Sequence, residues 1–168
     1  MDFQLIPTAI TCSVQIVTCG LTYLFGRRSA KIDSKKAILR ERYDKFYIPF
    51  VRLLYKGFYT EGFRPDIPFK TRAMMHELLS NNLEYLDVYT LRLYPSFYKA
   101  FLDMLEYEDG NHDFDTAPED FLLISTKIAL TVLQETQRIA KELTLPPLGQ
   151  PLIGNYLHSL SKLRKLEE

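Results

Sequence analysis

The sequence predicts an all-α protein: one amino-terminal transmembrane helix, an antiparallel helical bundle of about four helices, and a carboxy-terminal amphipathic helix. Three observations predict it. Residues 3–26 carry no charged side chain, while the remainder is charged and rich in Tyr and Phe. Beyond residue 34, apolar residues recur at steps of three and four, and no segment sustains the period of two that a half-buried strand requires. Pro, Gly and Asn clusters punctuate these stretches. The boundaries that follow are an anchor at 1–26, a basic juxtamembrane linker at 27–34, a bundle at 35–145, a Pro-rich linker at 146–151 and a last helix at 152–168.

As a helix, the uncharged run would extend about 36 Å at roughly 1.5 Å per residue, enough to cross a hydrocarbon core of about 30 Å. Seven hydroxyl or amide side chains interrupt it, and most form one stripe containing Thr8, Thr11, Gln15, Thr18 and Thr22. In lipid a Thr hydroxyl can bond back to its own helix, but Gln15 needs a partner from outside it, so the stripe is expected to contact another helix. An amphipathic helix facing water would normally carry Lys, Glu or Arg on its polar side, and this run carries none. A cleaved signal peptide would start basic and end on small residues; this run starts after Asp2 and ends at Arg27 and Arg28. Cys12 and Cys19 both lie inside it, where they are expected to act as small packing residues.

Arg27, Arg28, Lys31, Lys35 and Lys36 crowd just after the run, with only Asp2 before it. Positive flanks stay cytoplasmic, which places the amino terminus outside, the bulk of the chain inside, and these five cations at lipid headgroups. Charge is unevenly placed although the total is zero: residues 27–56 hold ten Lys/Arg against three Asp/Glu, and residues 57–120 hold five against thirteen.

Leu39, Tyr43, Phe46, Tyr47, Phe50, Leu54 and Phe58 predict a long helix from Lys35 to Tyr59, kinked at Pro49, whose ring removes a bond to the Lys45 carbonyl. Arg40, Arg42, Lys45, Arg52 and Lys56 supply its basic face. A short helix over Phe69–Ser80 follows, with Asp66 as its expected cap, and Asn81-Asn82 interrupts. Leu86, Leu93, Phe97, Phe101 and Leu105 predict a helix from Leu83 to Tyr107, kinked at Pro95. Thr116 and Glu119, with Pro118 between, read as a capping box opening a helix to Leu143. In the last segment Ile153, Tyr156, Leu157, Leu160 and Leu163 share one side.

The search for chemistry assigns no catalytic residue, cofactor, metal ligand or small-molecule substrate. His76-Glu77-Leu78-Leu79-Ser80 begins like the zinc-protease pattern, but the second imidazole is replaced by Ser80. Asp109, Asn111, Asp113 and Asp115 alternate as calcium ligands would, yet Phe114 stands where the loop needs Gly and Asp120 where it needs a bidentate Glu. No nucleophile elbow, phosphate loop or dinucleotide fingerprint is present.

These features together point to a non-enzymatic, single-pass membrane protein whose cytoplasmic bundle serves protein–protein interaction or self-association, with membrane lipid as a second partner. Tyr156, Leu157, Leu160 and Leu163 are the expected partner-helix contact, the competing role for them being docking on the parent bundle. The alternative is a peripheral protein binding anionic lipid or nucleic acid through the basic face of the first long helix, nucleic acid being disfavoured for want of any accompanying motif.

Overall fold

A computed structural model describes residues 26–61 and 68–164, with side chains over 26–57 and 68–158. The chain divides into two units, Met1–Ile38 and Leu39–Glu168. In the first, only residues 26–38 are described, and they are helical. The expected anchor and its Thr/Gln stripe therefore lie outside the described residues. Among those that are described, no helix is long and apolar enough to cross a membrane and none forms a strand.

We label the helical residues 26–42 α1. They lead into a π-helical turn, Tyr43–Tyr47, and then α2 (Ile48–Glu61), α3 (Phe69–Ser80), α4 (Val88–Glu108), α5 (Ala117–Glu142) and α6 (Gln150–Arg164). Pro49 explains the π turn. Its nitrogen cannot donate to Lys45, and the register widens just upstream, where the Ile48 N–H bonds the Tyr43 carbonyl. The predicted kink is thus an extra residue absorbed before the proline. Buried residues then come in adjacent pairs, Phe46 with Tyr47, Phe50 with Val51 and Leu53 with Leu54.

At α3 the sequence-based bounds and the observed ones coincide, although its cap position is Pro68 and carries no side-chain bond. The helix expected from Leu83 starts later. Leu83–Tyr85 is a 3-10 turn, and α4 begins only after Asp87, whose carboxylate accepts from the Tyr89 and Thr90 N–H groups. Pro95 lies inside α4, which continues through it. The expected capping box of α5 is not made: Thr116 already has helical backbone angles, and its hydroxyl bonds Asp120 instead of the backbone.

α4 and α5 end alike. After α4 the Asn111 N–H reaches the Glu106 carbonyl and the Gly110 N–H reaches Tyr107, with Gly110 at φ 86°. After α5 the Leu145 N–H reaches Ala140 and the Thr144 N–H reaches Lys141, with Thr144 at φ 58°. This termination wants glycine at the left-handed position, and α5 places a β-branched residue there. Thr144→Gly is therefore expected to stabilise the fold by about 1 kcal/mol. Urea unfolding of the full chain checks this, and a lowered midpoint would contradict it.

Helix α5 is the centre of the second unit, with Phe121, Ile128, Val132, Leu133 and Ile139 buried along it. Its buried Ser125 and Thr136 hydroxyls bond back to the Leu122 and Val132 carbonyls. Phe97 of α4 packs on Phe121, ring centroids 5.5 Å apart. Helices α3 and α4 run in opposite senses: Arg72 meets Glu108, while His76 stacks on Phe101 at 4.8 Å and on Tyr98 at 5.4 Å. In the stretch expected as a linker, Pro146, Pro147, Leu148, Gln150 and Pro151 are exposed and Gly149 is buried. A Cβ at Gly149 would lie 3.0 Å from the Leu133 side chain, so glycine lets this turn close on α5, and Pro151 belongs to α6.

Candidate functional site

Three surfaces are built by these helices. The first is cationic. Arg27, Arg28, Lys31, Lys35 and Lys36 are all exposed on the helical residues of the first unit. Residues at 27, 28, 31 and 35 fall within about 100° on a helical wheel. They present positive charge on one side of this helical stretch.

The basic face of the first long helix is largely neutralised within the chain. Arg40 pairs with Asp44 at 2.7 Å, and Lys45 pairs with Glu41 at 2.7 Å while also donating to the Tyr85 hydroxyl at 3.1 Å. Hydrogen bonding to Lys45, then to Tyr85, lowers the Glu41 pKa, and the reciprocal bond raises that of Lys45. Arg42 leaves the face altogether. It turns inward, donating twice to the Tyr85 carbonyl at 2.9 and 3.0 Å and once to the Tyr47 hydroxyl at 3.1 Å. Tyr47 is itself buried, which raises its pKa, and its hydroxyl also donates to Tyr85. Arg42 therefore clamps the 3-10 turn to the π segment. Arg52 and Lys56 remain exposed.

The second surface is an apolar stripe on α4. Leu91, Pro95, Tyr98 and Leu102 follow steps of four, three and four and are all exposed, Leu91 at 40%, Tyr98 at 44% and Leu102 at 41%. The sequence places Tyr98 and Leu102 beside the core face of this helix. The observed core face is instead Phe97, Ala100, Phe101 and Met104, which leaves the neighbouring stripe partly exposed, with His76 of α3 stacked against Tyr98.

The expected partner contact on α6 is divided. Tyr156 is buried, with its pKa raised by that burial, and Leu152 one turn earlier is also buried, so this side packs on the chain's own core. Leu157 is exposed, and the side chains of Leu160 and Leu163 lie outside the described residues.

The third surface is an open groove of about 460 Å³ between the π segment with α2 and the turn at Leu145–Leu148. Ile48, Val51, Leu145, Pro146 and Leu148 supply apolar walls, and Arg40, Asp44 and Arg52 supply its charge. Tyr55 ties the two sides, donating to the Leu148 carbonyl at 3.0 Å. Tyr43 also lines the groove, and its buried hydroxyl has no hydrogen-bond partner among the described residues. Burial raises its pKa, with the Arg40 charge opposing and the Asp44 charge adding. Sequence reading missed this groove because its walls are some ninety residues apart and one of them reads as a linker.

Sequence reading also passed over Arg72. It is buried, bonded to Glu108, and lies 5.9 Å over the Phe121 ring. One signal was present: Arg72, Met75 and Leu79 occupy steps of three and four on the core face of α3. The histidines take structural or surface positions, His76 stacked between aromatic rings, His112 exposed beside Asp115 and His158 exposed on α6. In the acidic loop the Asn111 side chain accepts from the Asp113 N–H. Among the described residues no three His, Cys, Asp or Glu side chains converge as a metal-binding group. Compared with protein-family models, curated proteins and solved structures, the chain matches none.

Proposed function

We propose that this chain is a non-enzymatic, single-pass membrane protein, amino terminus outside, whose cytoplasmic helical unit acts by protein–protein interaction, in the first place with a second copy of itself. The observation that carries the interaction is the exposed α4 stripe of Leu91, Pro95, Tyr98 and Leu102. A contiguous apolar strip on a helix face is what a helix-on-helix contact buries. The uncharged run of residues 3–26 and the exposed cations that follow it support the anchor. Tethering to a surface would raise the effective concentration of copies, so a weak stripe contact suffices. Nucleic-acid binding through the basic helix is the weaker reading, since Arg40 and Lys45 have carboxylate partners and Arg42 points inward.

The test uses two differently tagged full-length copies in the same membranes, cross-linked briefly. The double variant Leu91→Glu, Leu102→Glu is expected to lower copy-to-copy cross-linking about tenfold or more, since each buried leucine contributes about 1.5–3 kcal/mol. Its helical content should stay unchanged because both positions are exposed. Undiminished cross-linking would refute self-association through α4. Release of intact protein by alkaline carbonate, without detergent, would refute the anchor.

A further inference from the structure

The exposed stripe of α4 continues at both ends. Val88, Leu91, Pro95, Tyr98, Leu102 and Leu105 follow alternating steps of three and four, with Val88 exposed and Leu105 half-buried. A mean step of about 3.5 residues is the repeat by which two helices wind a shared apolar seam. The centre of this stripe lies about 130° round the helix from the buried face of Phe97, Ala100, Phe101 and Met104. Helix α4 therefore has one face for its own core and a second left for another helix. The two edges of that seam differ. Tyr94, Phe101 and Glu108, spaced by seven, form one edge, and α3 lines all of it: Ser80 bonds Tyr94, His76 stacks on Phe101 and Arg72 pairs with Glu108. Arg92, Lys99 and Glu106, also spaced by seven, form the other edge and are exposed.

We propose that α4 of a second copy packs on this stripe in parallel and in register, so that each stripe residue meets its own counterpart and α3 of one copy lies against the charged edge of the other. This orientation rests on the self-association proposed above. Parallel helices bring unlike edges together, whereas antiparallel ones bring like edges together. An antiparallel pair would therefore crowd both α3 helices onto one side of the seam and set Lys99 toward the partner's Lys99 on the other. In parallel, α3 meets Arg92, Lys99 and Glu106 instead, and the charges match. The contacts of Arg72 with Glu108 and of His76 with Phe101 bring the exposed Glu77 level with Lys99, and the exposed Lys70 level with Glu106, to within about one helical turn. The β-branched Val88 at one kind of seam position, with Leu91 and Leu105 at the other, is also the combination that favours two parallel strands.

The test uses full-length chains carrying Cys12→Ser and Cys19→Ser, reconstituted in phosphatidylcholine vesicles and mildly oxidised. Leu91→Cys alone and Leu102→Cys alone are each expected to give a reducible covalent dimer, because each position faces itself across the seam. Differently tagged Leu91→Cys and Leu102→Cys copies, mixed, should form about tenfold less of the mixed disulfide, since the two positions then lie about 16 Å apart along the axis. Mixed disulfide in place of the two same-site ones overturns the parallel register while leaving self-association through α4 standing. Absence of all three disulfides also overturns it, and the Leu91→Glu, Leu102→Glu variant then shows separately whether α4 associates at all. Charge gives a second readout. Glu77→Lys should lower cross-linking between identical copies severalfold, and mixing it with a Lys99→Glu copy should restore it, both positions being exposed. Failure of that restoration overturns the contact between α3 and the partner's charged edge.

Discussion

Glu108→Ala is expected to destabilise the second unit by about 3 kcal/mol, whereas Arg72→Met should cost less than about 1 kcal/mol. The asymmetry follows from where each partner sits. The Arg72 side chain is 1% exposed and that of Glu108 is 43% exposed. Removing the carboxylate strands a buried guanidinium whose Nε already has no partner among the described residues. Its remaining neighbour is the face of Phe121, which offers a weak cation–π contact and no hydrogen-bond acceptor. Removing the guanidinium instead leaves a carboxylate that water can reach, and methionine refills the space beside Phe121 with a flexible apolar chain. The double variant should match Arg72→Met closely, since Glu108 has no buried charge left to neutralise. Urea unfolding of the full chain in neutral detergent, followed by far-UV circular dichroism, gives all three values. Equal losses for the two single variants would show that packing, not charge compensation, is what the pair contributes.

Truncation after Leu145 should lower stability by about 3–6 kcal/mol, the burial of two large side chains. Those two are Leu152, 1% exposed, and Tyr156, 6% exposed, both part of the same core as Leu133 and Val132. Leu152→Ala alone is expected to cost about 2–5 kcal/mol by the cavity it leaves. Leu157→Glu, on the exposed side of α6, should change stability by less than about 0.5 kcal/mol. The two roles open for this helix from sequence make opposite predictions here. A helix reserved for a partner would leave the unfolding midpoint untouched on truncation, and that result would remove the docked reading of Leu152 and Tyr156.

The helices themselves were legible because each carries its apolar residues at helical steps, and turn residues separate them. Where a local competitor intervened, periodicity alone misplaced the boundary. Leu83 and Leu86 are in phase with Leu93 and Phe97, yet Asp87 captures the first free N–H groups of α4 and starts the helix there. Thr116 and Glu119 have the spacing of a capping box, but Thr116 is already helical and its hydroxyl turns to Asp120. At Pro49 the lost hydrogen bond was readable, while the way the chain absorbs it, by widening Tyr43–Tyr47, depends on packing Phe46 and Tyr47 together into the core. Of the three candidate surfaces, the cluster of cations after residue 26 was legible residue by residue, while the α4 stripe and the groove were not. Tyr98 and Leu102 read as near-core, Arg42 as outward-facing, and Leu148 as part of a linker.

From sequence alone one can state that the described chain is helical, roughly where each helix lies, and that an uncharged run precedes a cluster of cations. These are properties of neighbours within a turn or two, where side-chain spacing and backbone hydrogen bonding act directly. Tertiary structure alone decided that Arg72 is buried beside Phe121, that Tyr43 keeps an unsatisfied hydroxyl, that Tyr156 is covered, and that residues near 50 and near 147 share a groove. The physical reason is that periodicity specifies which face of a helix is apolar but not which distant segment covers it. That choice is made by packing between residues far apart in the chain.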